Sequence, residues 1–360
     1  MKMLIQFTGL ALGLFLGLYP ALEKPRPVWW RWTLVAFVTL AIVFALAPRT
    51  AGTFADAVLM FRVAGQGTQQ HPQQTAQQTI VPVKVRILPE TARYDAENNE
   101  FSVQMEDFRE GAPTAALVRF RGNKPQEFDG AQTLLLNVSR GAADTEFIAR
   151  GVIAVNPWLT LPFIPQLEER ARNLYFHVPM SWVGILAYLM AMVYGYRYLK
   201  TQDPMEDIKS SSSAALGTLF TILATLTGMV WAQFNWGVAW NWDPRQTSIF
   251  ILLLMYFAYF ALRQALDNEE RRARLSAVYV IFAFFPAVFL VFIMPRIMDG
   301  LHPGASSDNN AGPLLSSQPD ALNLIKQVIF SLAFGAFTML YCWMLSLQVR
   351  VKKLALQRGQ

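Results

Sequence analysis

Three tryptophans fall within seven residues in Trp236-Gly-Val-Ala-Trp240-Asn-Trp242, and Asp243-Pro244-Arg245 follows at once. Two histidines hold comparable places beside other apolar runs: His177 in Tyr175-Phe-His-Val-Pro179 and His302 in Leu301-His-Pro-Gly304. Each indole carries about 150–250 Å² of mostly apolar surface, and several left in water would cost on the order of several kcal/mol. The cluster is therefore either an aromatic anchor at a membrane interface or a platform for something large, flat and apolar. An imidazole is an ordinary loop or interface residue, or a metal ligand. Two neutral imidazoles beside an aromatic platform can supply both axial ligands of a haem iron.

The neighbouring residues carry two readings each. Asp243, Pro244 and Gln246 form a helix start, with an N-cap, a favoured proline and a capping-box partner. A helix N-terminus also attracts anions. Arg245 either snorkels to lipid headgroups or binds a carboxylate in a forked geometry; Arg296 offers a second cation for a propionate. The third histidine, His71, sits in a Gln-rich stretch and reads as a linker residue.

The elements that must position these groups are membrane helices. Hydrophobic residues make up 53% of the chain and charged residues only 16%, against about a quarter charged in soluble domains. Seven apolar runs stand out, at about Leu4–Leu22, Trp29–Ala47, Val178–Leu199, Ala214–Phe234, Ile249–Leu266, Ala277–Met294 and Ala321–Leu347. The first is long for a signal peptide and lacks a good cleavage site. Its Gly9, Gly13 and Gly17 suit close helix packing in lipid. The net charge of +6 is spread between apolar runs, so no nucleic-acid surface is expected. Clusters at Lys24/Arg26/Arg31, Arg197/Lys200, Arg263/Arg271/Arg272/Arg274 and Arg350/Lys352/Lys353/Arg358 alternate correctly if all are cytoplasmic. The Trp run, His177 and His302 then share the outer face.

Between the second and third runs lies a soluble insertion. Residues 65–79 are Gln-rich and aperiodic, the mark of a flexible linker. Period-two alternation follows at Val81–Ile87, Phe101–Met105, Val118–Phe120, Leu134–Val138 and Phe147–Val155. Five short strands in so short a stretch suggest a small OB-like barrel. The expected layout is N-terminal membrane helices over 1–50, a connecting helix and linker over 51–79, the barrel over 80–157 and a membrane domain over 158–360. Nucleotide-binding, zinc-peptidase and serine-hydrolase motifs are absent, no carboxylate pair lies in an apolar run, and the lone Cys342 permits no disulfide framework.

Trp236–Asp243, with Thr227-Gly228 before it and Arg245-Gln-Thr-Ser248 after it, resembles the tryptophan-rich WWD signature of haem-handling membrane proteins. Within that group Leu174–Trp182 and Leu301–Gly304 are similar to the two external histidine motifs of the cytochrome c maturation protein C family (CcmC). The likeness runs from Arg172 to the C-terminus and includes the Trp29–Ala47 helix. It implies six helices in a mainly α, polytopic bundle in the bacterial inner membrane, with its working face periplasmic. It implies haem b, transiently bound, with His177 and His302 as axial ligands and Trp236, Trp240, Trp242 and Asp243 as the platform. Arg245 would serve the propionates. Implied partners are a periplasmic haem chaperone, an ABC-type transporter and a small single-helix subunit; the role is haem delivery rather than conventional catalysis.

Two departures set the chain apart. The N-terminal helix and the inserted domain have no counterpart in the family pattern. The insertion faintly resembles the haem chaperone itself, yet Asn156-Pro157 stands where a carrier histidine is usual. Pro244 points to the CcsA-like cytochrome c synthase branch, but no histidine lies in any apolar run, so that alternative lacks its inner haem site. The remaining alternative is a non-haem membrane scaffold whose barrel binds a periplasmic partner.

Overall fold

The computed structural model describes residues 2–66, 78–108, 113–163, 168–302 and 324–359. Most of the Gln-rich stretch, with His71, and Pro303-Gly304 lie outside the described residues. The chain divides into two compact units, residues 1–46 with 172–360, and 47–171.

The first unit is a helix bundle. Its elements are α1 (Lys2–Leu18), α2 (Val28–Leu46), α4 (Leu174–Thr201), α5 (Pro204–Trp236), α6 (Pro244–Gln264), α7 (Glu269–Val288) and α8 (Leu324–Gly359). Among the described residues six helices, α2 and α4–α8 with short extensions, are long and apolar enough to cross a membrane. Large apolar side chains such as Phe282, Phe285 and Leu226 stay exposed on their outer faces, as expected where the solvent is hydrocarbon. The protein is a multi-pass membrane protein.

Helix starts and stops follow the sequence chemistry. The Asp203 carboxylate accepts from the Met205 amide at 2.9 Å, with Pro204 next and Glu206 and Asp207 in the first turn. These satisfy orphan amides and complement the helix dipole. Asn268 caps α7 in the same way through the Arg271 amide at 2.8 Å. α5 ends at Gly237, whose φ of +78° suits a residue without a Cβ.

Helix α1 lies against α8 backbone to backbone. A Cβ built on Gly9 would stand 1.7 Å from the Ser331 carbonyl oxygen, one on Gly13 2.9 Å from the Gly335 carbonyl oxygen, and one on Gly17 2.5 Å from Cys342 Sγ. Spacing by four puts all three on one helix face. The guanidinium of Arg26 donates to the carbonyls of Gly17 at 2.7 Å and of Pro20, closing the α1 C-terminus. Trp30 Nε1 donates to the Leu16 carbonyl at 2.8 Å.

α7 carries Pro286, and a π-helical turn, Phe289–Ile293, continues it. Proline removes one helix donor, and single π turns recur at functional sites. A last helical turn, Met294–Ile297, leads out toward His302.

In the second unit, strands β2 (Val81–Ile87), β4 (Glu100–Asp107), β5 (Ala115–Arg121), β6 (Thr133–Arg140) and β7 (Glu146–Val155) run in the order β2-β6-β7-β5-β4, and β4 pairs back to β2. The sheet thus closes into a small barrel, with β5 and β7 parallel and the other barrel pairs antiparallel. A short β3 (Arg93–Asp95) extends β4, while β1 (Arg49–Ala51) pairs in parallel with β8 (Thr160–Pro162). Val81, Val83, Val85 and Ile87 alternate inward with Phe101, Val103 and Met105, the period-two pattern of strands with one buried face.

α3 (Phe54–Gln66), which the sequence places in the connecting stretch, contributes Phe54, Ala57 and Phe61 to the same core. Their spacing of three and four makes one apolar stripe, and Phe54 stacks on Phe147 with centroids 4.6 Å apart. Asp107, buried, ties helix to barrel by accepting from the amides of Phe54 and Thr114, each at 2.9 Å. Asn156, with φ +45°, accepts from the Gln132 and Thr133 amides at 2.9 and 3.0 Å. Its side chain is committed to a turn.

Candidate functional site

One end of the helix bundle holds a cavity of about 740 Å³, its open mouth included, lined by residues of α4, α5, α6, the π turn and the segment at His302. Ile185, Met229, Ile249, Leu252 and Val291 form apolar walls, and His177, Trp240, Arg245, Gln246 and His302 converge on the same space.

His177 sits in the first turn of α4, so its ring is carried by a rigid element. Nδ1 lies 2.9 Å from the Ala224 carbonyl oxygen and 3.2 Å from Thr227 Oγ1. A carbonyl can only accept, so Nδ1 carries the proton and donates. Nε2 is left with its lone pair. The ring fits there because α5 has glycine opposite: a Cβ on Gly228 would stand 2.9 Å from His177 Cε1. Asn173 Nδ2 donates to the Thr227 carbonyl at 2.8 Å and pins the start of α4 to the end of α5.

His302 is held from α6. Its Nδ1 is 2.9 Å from Asp243 Oδ2, and the Leu301 amide donates to Asp243 Oδ1 at 2.6 Å. Asp243 is also the N-cap of α6, accepting from the Arg245 amide at 3.0 Å. The capping and site readings of this residue therefore coexist. Burial works to raise the Asp243 carboxyl, but the hydrogen bonds from His302 and the Leu301 and Arg245 amides prevail and hold it at about 2. Burial also pushes the His302 imidazole down, against the pull of Asp243. The pair is thus a carboxylate and a neutral imidazole, with the Nδ1 proton donated to oxygen and Nε2 bearing the lone pair. A Cβ on Gly300 would meet Asp243 Oδ1 at 2.7 Å, so this approach too depends on glycine.

The tryptophans divide. Trp236 packs edge-on to His302 with ring centroids 4.8 Å apart. Trp240 lines the cavity. Trp242 is outside the lining and 63% exposed, edge-on to Trp240 at 5.5 Å and to Phe250 at 5.8 Å. Its φ of +59° is a strained conformation for a bulky residue. Gln246, buried, stitches the loop: its Oε1 accepts from the Asn241 amide at 2.9 Å and its Nε2 donates to the Ala239 carbonyl at 3.3 Å. Thr247 Oγ1 adds a bond to the Trp242 carbonyl at 3.0 Å.

Arg245 lines the cavity, and its Nε is buried with no hydrogen-bond partner among the described residues. A buried, unmatched cationic donor is expensive, and an acidic ligand would relieve it. Among the described residues the cavity thus presents two imidazole nitrogens without hydrogen-bond partners, apolar walls and a half-buried guanidinium. That donor set suits a flat, largely apolar metal complex bearing acid groups, which is the chemistry of haem.

Residues 124–358 match the family CcmC, heme exporter protein C. The chain belongs to this family. Among the family's proteins, the heme exporter protein C of Bradyrhizobium diazoefficiens is 30% identical over 169 residues, 47% of this chain and 64% of the relative. That of Paracoccus denitrificans is 33% identical over 133 residues, 37% and 55%, and that of Escherichia coli K12 is 32% identical over 110 residues, 31% and 45%. The chain spans about half to two thirds of the length of the first two relatives. The heme exporter protein C match covers every cavity residue named above, whereas α1, α2 and α3 lie before it.

The roles of four contributors are not legible in the sequence. Thr227, Gly228 and Gln246 stand there as flanks of the tryptophan signature, Gln246 also as a capping partner, with nothing to say that they seat His177 or stitch the loop. The Ala224 carbonyl has no residue-type signature at all.

Proposed function

We propose that this protein binds haem at the cavity and hands it to a periplasmic haem chaperone during cytochrome c biogenesis. The observation that carries the reading is the pair of histidines, each with Nδ1 committed to an acceptor and Nε2 without a hydrogen-bond partner among the described residues. Haem supplies the iron that such a pair can ligate and a macrocycle that Trp240 and the apolar walls can cover. Arg245 takes a propionate, and Trp236 braces the His302 ring. Asp243 and the Ala224 carbonyl fix the ring orientation of their histidines.

The alternation of basic clusters supports a periplasmic position for this end of the bundle, at the inner membrane. An ABC-type transporter and a small single-helix subunit are the expected partners within the membrane. The barrel serves as a docking module rather than a covalent haem carrier, because Asn156 occupies the carrier position and spends its side chain on a turn.

The test is the absorption spectrum of purified protein supplied with haem, wild type beside His177→Gly and His302→Gly. The expected result is a low-spin bis-histidine spectrum, lost in either variant and restored by imidazole. Haem retained with an unaltered spectrum in both variants would remove the reading and favour the scaffold role.

A further inference from the structure

The two histidines are held by unlike partners, and this bears on how haem would leave. His302 Nδ1 faces a carboxylate at 2.9 Å, itself fixed by the Leu301 amide at 2.6 Å and the Arg245 amide at 3.0 Å. His177 Nδ1 faces a neutral carbonyl at 2.9 Å, which is also within reach, at 3.0 Å, of the Thr227 hydroxyl, whose single proton the Leu223 carbonyl at 2.9 Å equally accepts. A hydrogen bond to an anion is roughly twice as strong as one between neutral groups, and it moves electron density onto the imidazole, raising its basicity as a ligand. A neutral carbonyl does so weakly.

Steric support runs the other way. His177 rides on α4 and is pressed against Gly228, with 2.9 Å between its Cε1 and an added Cβ. Its ring is backed on that side by the α5 backbone. His302 lies outside any helix and is tethered through Asp243.

Resting on the haem-binding reading above, we infer that the site is built with unequal axial ligands: His302 is the retaining ligand and His177 the exchangeable one. An external donor added to the ferrous complex replaces His177 and leaves the iron on the Asp243-linked imidazole. Asp243 is in this sense a positioning and tuning residue, acting on the iron through His302.

Carbon monoxide, which displaces one axial ligand from ferrous bis-histidine haem, tests this directly. Resonance Raman of the photolysed adduct reads the iron–histidine stretch of the ligand that stays. Asp243→Asn, which keeps an N-capping side chain, is expected to shift that band to lower frequency, while Thr227→Val leaves it unmoved. His177→Gly should give the wild-type band without photolysis, and His302→Gly a lower one; this comparison stands even if the Asp243 variant fails to fold. A band that ignores Asp243→Asn and follows Thr227→Val would overturn the inference, as would a His302→Gly band equal to wild type. Absence of a bis-histidine spectrum in the wild type would instead refute the underlying haem reading.

Discussion

Gly228→Ala should break the site without breaking the fold. The added Cβ would stand 2.9 Å from His177 Cε1 and 3.4 Å from Nδ1. Carbon pairs settle at about 3.5–4.0 Å, so the ring has to retreat by about 0.6–1.1 Å. Retreat on that scale carries Nδ1 from 2.9 Å toward the limit of a hydrogen bond with Ala224. It also exceeds the ~0.5 Å within which a preorganised ligand set stays productive. Loss of an orienting partner of a metal-bound histidine costs about 10–100-fold in affinity. Stability responds differently. Alanine gains about 1 kcal/mol over glycine inside a helix, against about 0.5–1.5 kcal/mol for the lost hydrogen bond, so the net change stays within about 1 kcal/mol. The assay is a haem titration followed by absorption, with thermal unfolding in detergent alongside. Gly151→Ala, where nothing lies within 4 Å of the new Cβ, is the control. A Gly228→Ala protein with wild-type haem affinity and spectrum would refute the argument that this glycine seats the ligand.

Gln246→Ala removes both stitches of the Trp loop and leaves the Asn241 amide without its acceptor. The expected cost is about 1–3 kcal/mol of local order, read as increased tryptophan fluorescence quenching by acrylamide and weaker haem retention. Gly9→Val should separate α1 from α8, since even a Cβ meets the Ser331 carbonyl at 1.7 Å. A lowered melting temperature and lost cross-linking between the two helices would report it. Acid should weaken the haem-free protein with a definite sign. The Asp243 carboxyl is lowered from 3.8 to about 2, so its contribution, about 2 kcal/mol, is present above pH 4 and is lost as pH falls toward 2. His302, lowered from 6.5, acts in the same direction, because the unfolded state takes up its proton first. Melting temperature measured from pH 7 to pH 3 should fall, with a smaller drop at the acid end in Asp243→Asn.

Much of the architecture is legible because its signals are local. Apolar runs of membrane length gave the six long helices, and strict alternation at Val81–Ile87 and Phe101–Met105 gave barrel strands with the inward faces the structure shows. The four-residue spacing of Gly9, Gly13 and Gly17 announced close packing, though not that α8 is the partner. What stayed hidden depends on tertiary approach. The packing of α3 on the barrel turns on where Phe147 and Asp107 arrive, far along the chain. The π turn at Phe289–Ile293 follows from a proline, but the same proline is compatible with a simple kink. At the cavity the histidines, Asp243 and Arg245 show in the sequence because their side chains are chemically distinctive. The partners that orient His177 do not, being a backbone carbonyl and a residue that works by lacking a side chain.

The tryptophan cluster resolves differently from the choice its composition poses. Anchor and platform looked like rival readings of Trp236–Trp242, yet the structure distributes them over the same loop. Trp240 faces the cavity, Trp236 touches His302, and Trp242 is turned outward. Alternation of this kind needs a sharp backbone reversal between Trp240 and Asp243. The positive φ of Trp242 supplies it at a cost of about 1–3 kcal/mol. Gln246 and Thr247 offset that cost with three hydrogen bonds from the first turn of α6. The capping residue of that same helix, Asp243, holds His302. Loop shape and ligand position are therefore set by one helix start, and a change that frays it should lose the aromatic surface and the His302 tether together. An interfacial belt has no need of such coupling.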